Sequence, residues 1–172
     1  MAKTSKLFKQ EETKELIKYI TKNNLWILNI DFDKFISQGA EQRVFIFDEK
    51  HVFKLNDSIY YVSWLDYFNN LLLNNYFFPD TAYNLLGFYE QDKVLYAVVQ
   101  QPYVKATSKT NLIKVKVFME NNGFINIRNH DYYNPYLGVI LEDLHDENVL
   151  EQNDILYFID TVFFIKPEIF WD

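Results

Sequence analysis

Apolar residues recur at helical spacing in three stretches of the chain. In the first stretch they share one face, acidic residues occupy the first turn and Lys22 occupies the last. The second stretch follows Asp57 or Ser58, either of which can cap a helix, and the third ends before Gly123, a residue suited to the position after a helix. The pattern predicts helices over residues 11–23, 57–75 and 107–122.

Shorter apolar runs bounded by turn residues are typical of strands. Gly39 and the triplet Asp48-Glu49-Lys50 separate three such runs between residues 36 and 55, and the triplet Glu90-Gln91-Asp92 lies within a predicted hairpin. Pro102 breaks the second strand of that hairpin, because proline cannot donate to a neighbouring strand. Further short strands are predicted near residues 136–140 and 156–159. The order of elements indicates an α+β fold with its sheet mostly at the front of the chain.

Length and composition limit the classes of protein that the chain can belong to. Its 172 residues can bury a substantial core, as one domain or as two small lobes that share a cleft. The net charge of −7 argues against a nucleic-acid partner, because phosphate contacts require a basic surface. The same charge does not argue against ATP, since magnesium carries compensating charge locally. The 16 Phe and 13 Tyr indicate mostly core packing. The alternative is that an aromatic cluster such as Phe170-Trp171 forms a contact surface for a homo-oligomer or another partner.

The chain contains no cysteine, which excludes disulfides, zinc ribbons and thiol catalysis. That composition fits a reducing compartment. The basic N-terminus has no apolar segment of signal length behind it, and the apolar runs are shorter than a membrane span. We therefore expect a cytoplasmic domain that does not contact a membrane, and with three His we expect no transition-metal site.

The most informative segment places acids and an amide beside apolar runs. Asp143 is followed by four residues and then Asn148, and twelve residues later the run Tyr157-Phe158-Ile159 ends in Asp160. Charged residues at the ends of apolar strands need a reason to be there. One Asp can orient and deprotonate a hydroxyl, while an Asn and a second Asp can hold the magnesium that bridges nucleotide phosphates. The spacing therefore indicates a phosphotransferase site.

With three further segments, this motif resembles the protein-kinase-like superfamily, which includes aminoglycoside-phosphotransferase-type kinases. Within it, the chain resembles most the small bacterial kinase domains found in polyvalent proteins of mobile elements. The further segments, in order, are a degenerate nucleotide loop at residues 37–45, the lysine motif Phe53-Lys54-Leu55 and a hinge at residues 100–104. The resemblance runs over residues 36–160, about three quarters of the chain.

The resemblance implies a minimal bilobal fold. Residues 1–35 form an N-terminal helix and connector, and residues 36–100 form an N-lobe of antiparallel sheet with one packed helix. Residues 101–172 form the hinge and a reduced, helical C-lobe that carries the catalytic loop. In this family an acid on the helix after the lysine strand holds the lysine. Asp66 is the only mid-helix acid in the corresponding stretch of this chain. We favour the interpretation that Asp66 is a solvated surface acid.

The resemblance also implies a role for individual residues, with ATP and Mg2+ as cofactors. Asp143 is the catalytic acid that orients the acceptor hydroxyl, and Asn148 and Asp160 hold the metal. The nucleotide is bound by the Lys54 ammonium, which pairs with the α- and β-phosphates, by the loop at Gly39, and by backbone groups of Gln101 and Tyr103.

Each role has a plainer structural alternative. Asp143 and Asp160 are then turn acids, and Asn148 closes an Asx turn. Lys54 is then an edge-strand lysine that blocks strand addition. His145 is more often a packed loop histidine than a ligand.

Two functions of different classes follow. The first is an ATP- and magnesium-dependent phosphotransferase that acts on a hydroxyl of a protein or small molecule, and the presence of all four polar residues favours it. The second is a non-catalytic nucleotide-binding or protein-interaction module, a pseudokinase. A single glycine in the loop and the twelve residues after Asp160, too few for a helical lobe that holds a peptide, favour this second function. An unrelated α+β domain with an accidental match is the third possibility.

Overall fold

The computed structural model describes residues 2–39 and 42–166, the first few of these through their backbone alone. The described residues form three α-helices, α1 Ala2–Lys22, α2 Trp64–Phe77 and α3 Leu112–Asn121. They also form eleven strands, which are β1 Phe35–Gln38, β2 Gln42–Ile46, β3 His51–Asn56, β4 Asn84–Gln91, β5 Val94–Pro102, β6 Ile125–Arg128, β7 Asp131–Asn134, β8 Val139–Glu142, β9 Val149–Gln152, β10 Ile155–Phe158 and β11 Val162–Ile165. None of these helices is long and apolar enough to cross a membrane.

The chain divides into two compact units. The first unit comprises Met1–Phe68 and Ala82–Tyr103, and the second comprises Asn69–Thr81 and Val104–Asp172. The α+β class is confirmed, since helices and antiparallel sheets occur in the same chain.

The first unit is built on a five-stranded antiparallel sheet with the order β1-β2-β3-β5-β4. The predicted pairing of the second and third strands is confirmed, since Phe45 lies opposite Phe53 and Val44 lies opposite Lys54. The rings of Phe45 and Phe53 stack with centroids 4.8 Å apart, and both side chains belong to a buried cluster with Leu55 and Val98. One apolar face of the sheet therefore supports the middle strands, where the predicted lysine lies.

The connector after α1 runs against β4 at Gly87. The Ile27 N–H donates to the Phe88 carbonyl at 2.8 Å, and the Phe88 N–H donates to the Leu25 carbonyl at 2.9 Å. A Cβ at Gly87 would lie 2.5 Å from the Leu25 carbonyl oxygen, and the residue has a φ of +153°. Glycine is needed here because a side chain would push the connector away from the strand.

Helix α2 begins at Trp64, seven residues later than predicted from Asp57. The two residues expected to cap it take part in Asx turns instead. Asp57 Oδ1 accepts from the Ile59 N–H at 3.0 Å, and the Ser58 N–H donates to Asn56 Oδ1 at 2.7 Å. Ser63 caps the helix, since its Oγ accepts from the Asp66 N–H at 3.0 Å.

A carboxylate from α1 supports the same helix start. The two Glu12 oxygens accept from the Trp64 N–H at 2.7 Å and from the Leu65 N–H at 3.0 Å. A negative charge at a helix N-terminus is favourable, because the first N–H groups of a helix have no partner within it. The N-terminal helix thus fixes where α2 begins.

The second unit is mainly strands, so the prediction of a helical part after Gln101-Pro102 is wrong. It contains a four-stranded sheet with the order β11-β8-β7-β6, the hairpin β9–β10, helix α3 and the end of α2. Strands β8 and β9 alternate buried and half-buried residues, and tight turns at Asn129 and at Asn153-Asp154 use positive φ angles. Asn and Asp tolerate that conformation, so tight turns can join strands of only four residues. Strands this short leave too little alternation in the sequence to be recognised.

The core of the second unit holds both ends of the predicted catalytic loop. Leu144 and Val149 are each 0% exposed and belong to a buried cluster with Leu141, Phe158 and Phe163. The residues between Leu144 and Val149 are polar, and they belong to the loop of residues 143–148 that connects β8 to β9. Apolar anchors on both sides therefore fix the backbone from which the polar side chains project.

Candidate active site

The loop after β8 is closed by its own backbone hydrogen bonds. The His145 carbonyl accepts from the Asn148 N–H at 3.1 Å and from the Val149 N–H at 3.0 Å, and the Leu144 N–H donates to the His130 carbonyl at 3.1 Å. These bonds, together with the buried anchors, give the loop one backbone conformation. The backbone positions of its polar residues are thereby fixed.

Asp143 and Asn148 are brought together by direct contact. The Asn148 Nδ2 donates to the Asp143 carboxylate Oδ2 at 3.0 Å and to the Asp143 carbonyl at 2.9 Å. Asp143 has a φ of +68°, and its N–H donates to the Asp131 carboxylate at 3.1 Å. The Asp143 side chain is 57% exposed, so its carboxylate is accessible from solvent. Because both Nδ2 protons face Asp143, the Asn148 Oδ1 is the amide atom that can bind a cation.

Asp160 is fixed beside Asn148 through the backbone. The Asn148 carbonyl accepts from the Ile159 N–H at 2.9 Å and from the Asp160 N–H at 3.3 Å. The residues after Asp160 are held by α2, because Thr161 Oγ1 donates to Asn74 Oδ1 at 2.8 Å and the Phe163 N–H donates to Asn70 Oδ1 at 2.8 Å. The strand that follows Asp160 therefore has little freedom to shift.

The side-chain oxygens of Asn148 and Asp160 are of the type that magnesium prefers. Within residues 2–39 and 42–166, no group of three or more His, Asp or Glu side chains is arranged to hold a metal ion. Magnesium is commonly bound by one or two carboxylates together with water and substrate phosphates, so a site made of one amide and one carboxylate suits it better than calcium or zinc. Asn148 Oδ1 and the Asp160 carboxylate are the donors that can fill this role.

Further acids surround the loop. Burial raises the pKa of Glu142, and repulsion from Asp131 and Asp143 adds to the rise while Arg128 opposes it. The carboxylates of Asp131, Glu142 and Asp143 are therefore close enough to repel one another. Such crowding favours any cation that binds there.

His145 contacts both Asp143 and the turn. Its Nε2 lies 3.2 Å from Asp143 Oδ1, and its Nδ1 accepts from the Glu147 N–H at 3.2 Å. The second of these contacts orients the ring within the loop. The first contact, to the candidate catalytic acid, was not predicted.

Lys54 lies in the middle of the sheet of the first unit. Strand β3 has β2 on one side and β5 on the other, so the edge-strand alternative for Lys54 is wrong. The residue is 4% exposed, and its Nζ lies 5.4 Å from the centroid of the Tyr83 ring. Contacts such as the one to the Tyr83 ring offset part of the free energy that burying a charge costs.

Asp66 is not a mid-helix acid, since α2 begins at Trp64 and places Asp66 in the first turn. Its carboxylate Oδ2 accepts from the Ser63 hydroxyl at 2.8 Å, and its backbone N–H donates to Ser63 Oγ at 3.0 Å. The residue is exposed, as expected for a surface acid. Its contacts belong to a helix cap.

The other predicted nucleotide contacts lie at the ends of β1 and β5. A Cβ at Gly39 would meet no described atom within 4 Å, so packing among the described residues does not require glycine there. Gln101 is 1% exposed and lies opposite Val52. The Tyr103 N–H donates to the Lys50 carbonyl at 2.7 Å. Because the Tyr103 N–H already donates to Lys50, the Tyr103 carbonyl is the backbone group that remains as the candidate for an adenine contact.

Several residues that shape the site were not predicted from the sequence. Asn70 and Asn74 lie one helical turn apart and are 4% and 0% exposed. Two amides at this spacing within an apolar helix are a signal that the sequence does contain. The contact from Asp131 to the Asp143 backbone has no such signal, because it joins two strands of the folded sheet.

A protein-family model matches most of the chain. The family model described as Serine/Threonine/Tyrosine Kinase found in polyvalent proteins (Kinase-PolyVal) matches residues 9–167. The match includes the loop from Asp143 to Asn148, Asp160 and Lys54. Searches of curated proteins and of solved structures gave no match.

Proposed function

The chain belongs to the family of serine/threonine/tyrosine kinases found in polyvalent proteins, and from this membership we propose that it is an ATP- and Mg2+-dependent phosphotransferase acting on a hydroxyl of a protein or small molecule. The observation that carries the proposal is the contact between Asn148 Nδ2 and the exposed Asp143 carboxylate, in a loop whose Asn148 carbonyl also binds the Asp160 N–H. An accessible carboxylate next to two metal-ligand candidates is what phosphoryl transfer to a hydroxyl requires.

In the proposed reaction the acceptor oxygen forms a bond to the γ-phosphorus while the bond from that phosphorus to the β–γ bridging oxygen breaks. Asp143 orients the acceptor hydroxyl and takes its proton, and ADP leaves. Asn148 Oδ1 and Asp160 hold the metal. Bound Mg2+ supplies the positive charge that compensates the β- and γ-phosphates.

Residues of the first unit bind the nucleotide in this proposal. The Lys54 ammonium pairs with the α- and β-phosphates, and its burial strengthens that attraction because little water screens it. The loop at Gly39 lets phosphate oxygens approach the backbone. Gln101 and the Tyr103 carbonyl contribute contacts to the adenine.

The proposal is tested by measuring binding and transfer separately. Thermal unfolding is followed with ATP alone, Mg2+ alone and both, and ATP with Mg2+ at ~100 times its dissociation constant should stabilise the protein by about 2.7 kcal/mol. Radiolabelled ATP then reports phosphate transfer to the protein itself, to generic protein and small-molecule acceptors, and to water. Nucleotide binding with no transfer to any acceptor supports the non-catalytic module instead. No nucleotide binding at all contradicts both functions.

A further inference from the structure

Both ring nitrogens of His145 have a defined neighbour. Nδ1 lies 3.2 Å from the backbone nitrogen of Glu147, and Nε2 lies 3.2 Å from Asp143 Oδ1. The backbone of His145 is bound as well, because its N–H donates to the Asp143 carbonyl at 2.9 Å and its carbonyl accepts two N–H groups of the loop. The ring is 30% exposed. Its orientation is therefore set by the loop.

These contacts determine which nitrogen carries the proton. A backbone N–H is always a donor, so Nδ1 must be the acceptor in its contact with Glu147 and cannot carry a hydrogen. The proton of the neutral ring is then on Nε2, which faces Asp143. The Asn148 Nδ2 lies 3.2 Å from Nε2, and since its protons are directed at Asp143, the imidazole and the amide are two donors to one carboxylate.

We propose that His145 is a positioning residue for Asp143 in the phosphotransfer reaction, holding Oδ1 through Nε2–H while Asn148 holds Oδ2. The inference rests on the proposed function. Asp143 is 57% exposed, and a carboxylate in contact with water turns freely about its side-chain bonds unless donors fix it. Two donors on its two oxygens fix the plane of the carboxylate, so that its remaining lone pairs meet the acceptor hydroxyl without a search over rotamers.

A purely structural histidine would need only its Nδ1 contact, which closes the turn at Glu147. Two substitutions separate this contact from the one to Asp143. In His145→Asn the amide oxygen takes the place of Nδ1 and can accept from the Glu147 N–H, but no donor reaches Asp143. In His145→Gln the amide nitrogen reaches the place of Nε2 and can still donate to Asp143.

The test compares the steady-state kinetics of the two variants with those of the wild type. We expect His145→Asn to lower kcat by about tenfold to a hundredfold, the effect of losing one hydrogen bond to a charged group. We expect KM for ATP to stay within about twofold, because the contact serves the acceptor side of the reaction. We expect His145→Gln to restore kcat to within about threefold of the wild type. A wild-type kcat in His145→Asn, or a larger loss in His145→Gln, overturns the proposal.

A second measurement does not depend on activity. Long-range 1H–15N correlation spectra of the wild type should show His145 with its proton on Nε2, assigned by the loss of its signals in His145→Gln. The Nε2 proton should shift when Asp143→Ala removes its acceptor. A proton on Nδ1, or no shift in Asp143→Ala, overturns the positioning contact even in an active enzyme. A wild type without phosphate transfer overturns the proposed function, and the positioning role with it.

Discussion

Asn74 on α2 accepts a hydrogen bond from the Thr161 hydroxyl at 2.8 Å, and both residues are at most 1% exposed. Thr161 directly follows Asp160, so this contact ties the candidate metal-binding acid to the part of α2 that belongs to the second unit. Asn70 adds a second such contact one turn earlier, to the Phe163 N–H. Two asparagines on a mostly apolar helix thus hold the strand that follows Asp160.

Removing this contact should destabilise the protein and weaken metal-dependent nucleotide binding together. Asn74→Leu leaves the Thr161 hydroxyl buried without its acceptor, at an expected cost of about 1–3 kcal/mol in the free energy of unfolding. Adding Thr161→Val should recover part of that loss, because the second change removes the stranded hydroxyl. Chemical denaturation measures the three variants, and Leu72→Ala, at an exposed position of the same helix, is the control. Fully additive effects of the two changes would show that the contact carries no free energy.

Asp143 and Asp160 should differ in which step they affect. Asp143→Asn should leave nucleotide affinity nearly unchanged and lower kcat by roughly a hundredfold to ten-thousandfold, because Asp143 acts on the attacking hydroxyl. Asp160→Asn should weaken Mg2+-dependent ATP binding by about tenfold or more, because it removes a charged metal ligand. Calorimetric titration and single-turnover kinetics separate the two effects.

The exposed loop acid Asp146 provides the matched control for both variants. Its nearest cation, Lys109, lies 3.8 Å away in a surface pair, so Asp146→Asn should change neither affinity nor rate by more than about twofold. If Asp146→Asn matched Asp143→Asn, the effect would come from general loop charge and not from the position of one carboxylate.

Lys54 should matter for nucleotide affinity. Lys54→Met keeps the length of the side chain and removes the ammonium, so ATP should bind about tenfold to a hundredfold more weakly. Lys50→Met changes an exposed lysine in the turn before the same strand and should leave ATP affinity unaltered. Fluorescence titration with a labelled nucleotide measures both variants. Equal affinity of Lys54→Met and wild type would exclude a phosphate contact by Lys54.

The stability of the second unit should depend on acid pH through Glu151. Hydrogen bonds from Lys114 and from the Asn111 N–H lower the pKa of Glu151, whose side chain is 4% exposed. A lowered pKa in the folded state means that the stabilisation is present above the ordinary Glu pKa of ~4.3 and is lost as pH falls through the lowered value.

Glu151→Gln should therefore flatten the fall in stability on the acid side of pH ~4.3 and lower the stability at neutral pH. On the alkaline side, hydrogen bonds to Glu151 and Asp154 raise the pKa of Lys114, so its contribution to stability is lost only as pH rises through that raised value. Thermal unfolding at a series of pH values measures both effects. If the stability of Glu151→Gln falls with decreasing pH as steeply as that of the wild type, other carboxylates determine the loss of stability in acid.

Features that depend on neighbours along the chain could be predicted from the sequence alone. The alternation around Asp48-Glu49-Lys50 was enough to place β2 beside β3, because a tight turn between two apolar runs leaves few other pairings. The spacing of Asp143, Asn148 and Asp160 was enough to mark one candidate site. It also favoured the family that the comparison then identified.

Tertiary contacts decided what those patterns left open. Helix α2 begins at Trp64, later than predicted, for two reasons. The Asn56 and Asp57 side chains accept from backbone N–H groups two residues further on, and the Glu12 carboxylate accepts from the first N–H groups of the helix. The second unit consists mainly of strands of four residues, and such short strands gain their stability from pairing with neighbouring strands. Local periodicity in the sequence does not reveal this pairing. The orientation of His145 toward Asp143 likewise exists only after the loop has closed, since one ring nitrogen is fixed by a backbone N–H that the fold brings to it.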